Sequence, residues 1–253
     1  MVNREELNYL KYNESYQCGV NEIGGKAYSI ARLSVYNIDV PKGIVLPKQI
    51  WNYYEKTENK EFLRDIIKDI SKYINAKKYA VRSSAIGEDS SDFSWAGCFE
   101  SILDVETSQL ERAIIECGKS LKGERVQTYR RLHNNINKIE YMGILIQEYI
   151  EAEWSGVCFS SNPVTGNEEE CIIEYQKGKS GSVVGGYGEP TTVIIDKKNK
   201  IVNEETDMPI NFINKIFEKV KEINSIWKVP VDVEWVIKNE KLYITQTRPI
   251  TTI

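Results

Sequence analysis

The stretch DVEWVIKNEKLYITQTRPI, residues 232–250, decides how this chain is read. Two runs of β-branched and aromatic residues flank Asn239 and Glu240, the pattern of two antiparallel strands joined by a tight hairpin turn. Successive strand residues point to opposite faces, so Asp232 and Glu234 share one face of the first strand, and Gln246 and Arg248 share one face of the second. Two carboxylates and an amide oxygen are hard oxygen ligands suited to Mg²⁺, which takes few protein groups and leaves the rest of its shell to water and phosphate. The arginine beside them adds charge for a phosphate. A solvated face carrying an ion pair is the plainer account of the same residues.

Working outward, GILIQEYI, GVCFSSNP, CIIEYQ and TTVIID read as further strands, and one helix, INFINKIFEKVKEINSIW, interrupts the series. The first half is richer in helices. KAYSIARLSVYNI opens on the glycine turn Gly24-Gly25, VPKGIVLPKQIWNYYE reads as a short strand followed by a helix, and EFLRDIIKDISKYI places Phe62, Ile66, Ile67, Ile70 and Ile74 in one apolar stripe. KYAVRSS and ESILDV read as paired strands, and one long helix is expected through SQLERAIIECGKSL and on to VQTYRRL. The expected fold is α+β with two lobes, 1–146 and 147–253, and a hinge near Gln147 to Ile150.

Composition bounds the rest. The chain has 253 residues, 41% hydrophobic and 28% charged, an ordinary globular mixture long enough to bury a core. A net charge of -4 gives no reason to expect nucleic acid. No basic leader with an apolar core opens the chain and no apolar run reaches membrane-spanning length, so the reading is a cytoplasmic protein without a membrane partner. Five scattered cysteines with no CxxC pair argue against a disulfide framework or a zinc site. The one histidine, His133, sits in RRLHNNINK with nothing to orient it for catalysis.

Two further groups carry chemistry. Gly24, Gly25 and Lys26 form a glycine turn with a lysine at a helix start, where free N–H groups and a cation can meet an anion. The spacing is not that of a Walker A loop, and a turn of this kind can be only a turn. The second group is AVRSSAIGEDSSDFSWAGCFESILDV, residues 80–105, a polar stretch longer than compact domains usually keep. Arg82 at a strand end and Gly97, which admits close backbone approach, would suit phosphate oxygens, with Ser101 beside them. A surface loop with Arg82 paired to Glu88 or Asp89 explains the stretch equally well.

Taken together, GGKAYSIARL, VPKGIVL, the 80–105 stretch, GILIQEYIEAEWSGVCFSSNPVTGN and the closing hairpin resemble, in order, the nucleotide-binding domain of the phosphoenolpyruvate synthase, pyruvate phosphate dikinase and rifampin phosphotransferase family, an ATP-grasp fold. The resemblance implies ATP and Mg²⁺ as cofactors. It implies that Lys26 and Arg82 contact the phosphates, that Gly97 and Ser101 form the loop over them, and that Gln147, Glu148 and Ile150 border the adenine. Glu234 and Gln246 would hold Mg²⁺, Asp232 would support them, Arg248 would neutralise the transferred group, and Arg125 would face the phosphates. Family members pass phosphate to a histidine on a swivelling domain. This chain ends at QTRPITTI, where such a domain would begin, so a partner or further domain is expected to carry that histidine. The family's GLGE-type segment reads GKSGSVVGGYG here, keeping Gly178, Gly185 and Gly186 but replacing the acid. A stand-alone kinase acting on a small acceptor and a nucleotide-binding module without turnover are the alternatives.

Overall fold

The computed structural model describes residues 7–85, 99–132, 141–178, 190–196, 198, 200–201 and 206–250. The chain divides into two compact units, residues 1–37 with 41–149, and residues 38–40 with 150–253. Unit 1 thus ends after Tyr149, three residues beyond the expected lobe boundary. The reason is that Gln147 and Glu148 are paired in a strand of the first sheet.

In unit 1 a four-stranded antiparallel sheet has the order β1 (Gly43–Leu46), β4 (Met142–Glu148), β2 (Lys78–Ala85), β3 (Ser101–Glu106). The central strand MGILIQE opens on an unbroken apolar run, Met142 to Ile146, because the sheet is covered on both faces. One face carries α4 (Lys48–Thr57), α5 (Lys60–Ile74) and α6 (Leu110–Ser120), whose Ile50, Trp51, Leu63, Ile70 and Ile114 pack on Ile44, Leu46, Tyr79, Val81, Ile144 and Ile146. Each such side chain contributes about 1.5–3 kcal/mol on burial. The expected stripe of α5 is buried throughout, and Asn59 caps the helix by accepting from the Phe62 N–H at 3.0 Å.

The other face receives the short helices α1 (Tyr12–Cys18) and α2 (Val20–Ile23) and the 11-residue α3 (Gly25–Val35). Their approach depends on small residues in the strands: a Cβ at Gly43 would overlap the Tyr12 hydroxyl, and one at Gly143 would overlap the Ile23 backbone. The long helix expected after residue 107 is broken. A 3-10 turn at Thr107–Gln109 precedes α6, and α7 (Glu124–Leu132) starts afresh. At SLKG, Lys122 and Gly123 donate to the carbonyls three residues back, and Ser120 Oγ donates to the Cys117 carbonyl at 2.6 Å, so the chain tightens out of the helix.

Unit 2 holds a six-stranded antiparallel sheet in the order β10 (Lys241–Pro249), β9 (Val231–Lys238), β5 (Trp154–Phe159), β6 (Glu170–Lys177), β7 (Thr191–Asp196), β8 (Lys200–Ile201). The helix α8 (Ile210–Trp227) buries Ile213, Ile216, Phe217, Val220 and Ile223 and packs on β5, β9 and β10. Asn239 and Glu240 both adopt positive φ, 49° and 60°, making the tight turn expected between β9 and β10. β8, two residues long, is too short to leave a periodic signal.

Candidate functional site

In unit 1 the cationic residues are placed by backbone contacts. Gly24 has φ +80° and closes α2 by donating its N–H to the Val20 carbonyl at 2.8 Å, while serving as the residue before α3. Any side chain here would overlap the Ser84 carbonyl, so only glycine lets the turn lie on β2. Ser84 Oγ then accepts from the Ala27 N–H at 2.9 Å. A strand serine thereby caps the first turn of α3 and ties the turn that carries Lys26 to the strand that carries Arg82.

Arg82 is 8% exposed and sits opposite Ser101 on β3 and Leu145 on β4, so Arg82 and Ser101 are lateral neighbours on one face. Glu100, next to Ser101, pairs with Arg125 of α7 at 3.6 Å. Lys26 acts electrostatically on Cys117 of α6, whose Sγ donates to the Val81 carbonyl at 3.3 Å. Burial is the main cause that pushes this thiol up to about 12; Lys26 opposes the shift but is outweighed. The thiol stays protonated and is no nucleophile. Gly97, His133, Gly185 and Gly186 lie outside the described residues.

At the end of β4, Gln147 is 1% exposed and its Nε2 donates to the Tyr12 hydroxyl at 3.1 Å. Glu148 donates its N–H to the Lys42 carbonyl at 2.7 Å, and Tyr149 to the Lys78 carbonyl at 3.0 Å. Ile150, the next residue, belongs to unit 2.

In unit 2 the placement comes from strand register. Gln246 lies opposite Glu234, and Arg248 opposite Asp232, so all four expected residues share one face. The register shifts between Ile244 and Gln246, and this β-bulge is what makes the arrangement. Leu242 and Ile244 pair with Ile237 and Trp235 on the face covered by α8. Without the extra residue Thr245, Gln246 and Arg248 would fall on that buried face. Arg248 donates from Nε to Asp232 Oδ2 at 2.8 Å, and its Nη2 lies in an ion pair with the same oxygen, also at 2.8 Å. The Thr247 hydroxyl, on the opposite face, donates to the Asp232 carbonyl at 3.2 Å.

Sequence reading missed Glu174. The ladder runs Glu174, Val157, Glu234, Gln246 across β6, β5, β9 and β10, which sets a third carboxylate on the same face. Its signal was a single acid at mid-strand in CIIEYQ. Burial raises the Asp232 carboxyl above its ordinary value; Arg248 counters this, and Glu234 and Glu174 add to it. Crowded carboxylates of this kind favour a cation. Among the described residues no three His, Cys, Asp or Glu side chains converge as a self-sufficient metal cage. The donor set offered by Glu234 and the Gln246 side-chain oxygen fits Mg²⁺, an ion that completes its shell with water and phosphate.

A sheet face of carboxylates beside a fixed guanidinium in one unit, and a glycine turn tied to the strand of a buried arginine in the other, agree with an α+β fold of the ATP-grasp type. Residues 56–213 match the family described as pyruvate phosphate dikinase, AMP/ATP-binding domain, and the chain belongs to that family. The uncharacterized phosphotransferase YvkC of Bacillus subtilis (strain 168) is 30% identical over 277 residues, covering 91% of this chain and 33% of that protein. A probable phosphoenolpyruvate synthase of Archaeoglobus fulgidus is 32% identical over 69% of this chain and 27% of its own length. The rifampicin phosphotransferase of a Streptomyces species is 27% identical over 69% of this chain and 24% of its own length. The chain thus spans about a third or less of these relatives. In fold it is similar to the crystal structure of PH1788 from Pyrococcus horikoshii Ot3, with a TM-score of 0.50, 13% identity and 94% of each chain covered. It is likewise similar to a Ca. Korarchaeum cryptofilum acetyl-coenzyme A synthetase 1 in complex with coenzyme A, Ca-AMPCP and HgCl+, with a TM-score of 0.50, 11% identity, and 88% of this chain and 90% of that one covered.

Proposed function

We propose that this chain is the ATP-binding part of a phosphotransferase that, with Mg²⁺, moves a phosphoryl group from ATP to a histidine on a separate swivelling domain, the remaining phosphate leaving to water as inorganic phosphate and the nucleotide as AMP. The observation that carries the reading is the register of β9 and β10, which sets Glu234 against Gln246 and Asp232 against Arg248 on one face. Phosphoryl transfer needs positioning and charge neutralisation more than covalent help from the protein, and these residues supply both.

In this reading Lys26 and Arg82 contact the phosphates, and Gly97 with Ser101 forms their cover. Arg125 faces the phosphates from α7, and Gln147, Glu148 and Ile150 border the adenine. Glu234 and Gln246 hold Mg²⁺, which when bound neutralises phosphate charge. Asp232 is a positioning residue: the Nε–H bond and the Nη2 ion pair converge on one carboxylate oxygen and hold the Arg248 guanidinium, so it meets the transferred group without rearranging. The proposed compartment is the cytoplasm, which holds both ATP and Mg²⁺. No helix among the described residues is long and apolar enough to cross a membrane.

The test is to incubate the chain with Mg²⁺ and ATP, alone and with the histidine domain of a relative added in trans, and to resolve AMP from ADP. AMP and a labelled histidine are expected only with the added domain. Glu234→Gln should lower the rate about 10²-fold or more, the scale for losing one fixed electrostatic group. ADP formation without a labelled histidine would overturn the proposal.

A further inference from the structure

Tyr12 is a buried hydroxyl that none of the roles above uses. It comes from α1, outside both the sheet and the glycine turn, yet its oxygen lies where two separate pieces of chain meet. The hydroxyl donates to the Pro41 carbonyl at 2.9 Å and accepts from Gln147 Nε2 at 3.1 Å. Pro41 is where the chain re-enters unit 1 after residues 38–40, and Gln147 is three residues before it leaves at Ile150. The same two pieces are joined again by the Glu148 N–H to the Lys42 carbonyl and by the pairing of Gly43 with Gln147. The absence of a side chain at Gly43 is what admits the hydroxyl, since a Cβ there would overlap it.

Burial raises the pKa of this phenol, with the hydrogen bond from Gln147 opposing, so it remains a neutral donor and acceptor at any physiological pH. A neutral hydroxyl with one carbonyl to donate to can accept only from an N–H. It therefore fixes the orientation of the Gln147 amide as well as its rotamer.

We infer that Tyr12 is a positioning residue for base recognition: anchored on the Pro41 carbonyl, its hydroxyl locks the Gln147 side chain and so presets the end of β4 that borders the purine. The inference rests on the reading of Gln147 and Glu148 given under Proposed function. Tyr12 does not touch the nucleotide in this account, and the triphosphate contacts of Lys26 and Arg82 do not depend on it.

The experiment compares affinity for MgATP and for magnesium tripolyphosphate, which lacks the base, in the wild-type chain, Tyr12→Phe, Gln147→Met and the double variant, with thermal melting of each. Tyr12→Phe should weaken MgATP binding about tenfold, the equivalent of one well-formed hydrogen bond, and leave tripolyphosphate unchanged. The double variant should bind MgATP no worse than Gln147→Met, because the hydroxyl acts through that amide. Equal loss for both ligands would assign Tyr12 to the scaffold alone and overturn the inference. So would unchanged MgATP affinity, or additive losses in the double variant. A wild-type chain that holds MgATP no tighter than tripolyphosphate would overturn the base-binding reading itself, and the inference with it.

Discussion

The two polar faces of this molecule are held in place by different devices. In unit 1 a positively charged group is set by close backbone approach: Gly24 lies on the Ser84 carbonyl, and the Ala27 N–H is capped by Ser84 Oγ. In unit 2 an acidic group is set by lateral register across four strands, re-aimed by the bulge at Thr245. The first device is local and tolerates change elsewhere in its sheet. The second is collective, because one residue gained or lost in β10 exchanges the two faces of everything beyond it.

The largest expected effect comes from breaking the collective device. Deleting Thr245 should turn Gln246 and Arg248 toward the layer under α8 and strip Asp232 of its guanidinium. Burying the guanidinium without a partner and leaving the buried Asp232 carboxylate uncompensated costs about 3–5 kcal/mol, so the urea midpoint should collapse or the chain should fail to fold. An unchanged midpoint would show that the bulge is not what sets the face. The next effect isolates the pair. Arg248→Ala leaves the Asp232 carboxylate buried among Glu234 and Glu174, a loss of about 2–3 kcal/mol on the scale for truncating one partner of a hydrogen-bonded charge pair. Asp232→Asn combined with Arg248→Ala should recover part of that loss, because the uncompensated charge is then gone.

These devices also explain what was legible in the amino-acid order. The α+β fold, the apolar stripe of α5, the pairing of KYAVRSS with ESILDV and the turn at Asn239-Glu240 could be read because each rests on periodicity or turn chemistry within a short window. That Asp232 and Glu234 share a face follows from alternation alone, as it does for Gln246 and Arg248. That the two pairs face each other does not, since a bulge leaves no mark in composition. The break at SLKG was missed because the apolar spacing of SQLERAIIECGKSL runs on toward VQTYRRL. Ser84, Glu174 and Tyr12 were missed for a different reason: each acts on residues far away in sequence, and no spacing rule reaches across that distance.

The smaller effects sharpen the local device. Gly24→Ala puts a methyl at φ +80° against the Ser84 carbonyl, a strain of about 1–3 kcal/mol, and should weaken nucleotide affinity as the turn bearing Lys26 lifts from β2. Ser84→Ala removes only the cap on the Ala27 N–H, about 1 kcal/mol by the general cost of a lost N-cap. Asn59→Ala removes the cap on α5, which is worth about the same. The two substitutions should therefore lower the urea midpoint alike, measured on the same chain under the same conditions. They should differ in affinity for MgATP, because one cap sits under the lysine turn and the other under a helix that only covers the sheet. If both variants bound MgATP equally well, the tie between α3 and β2 would be a device of folding, and Lys26 would keep its place by other contacts.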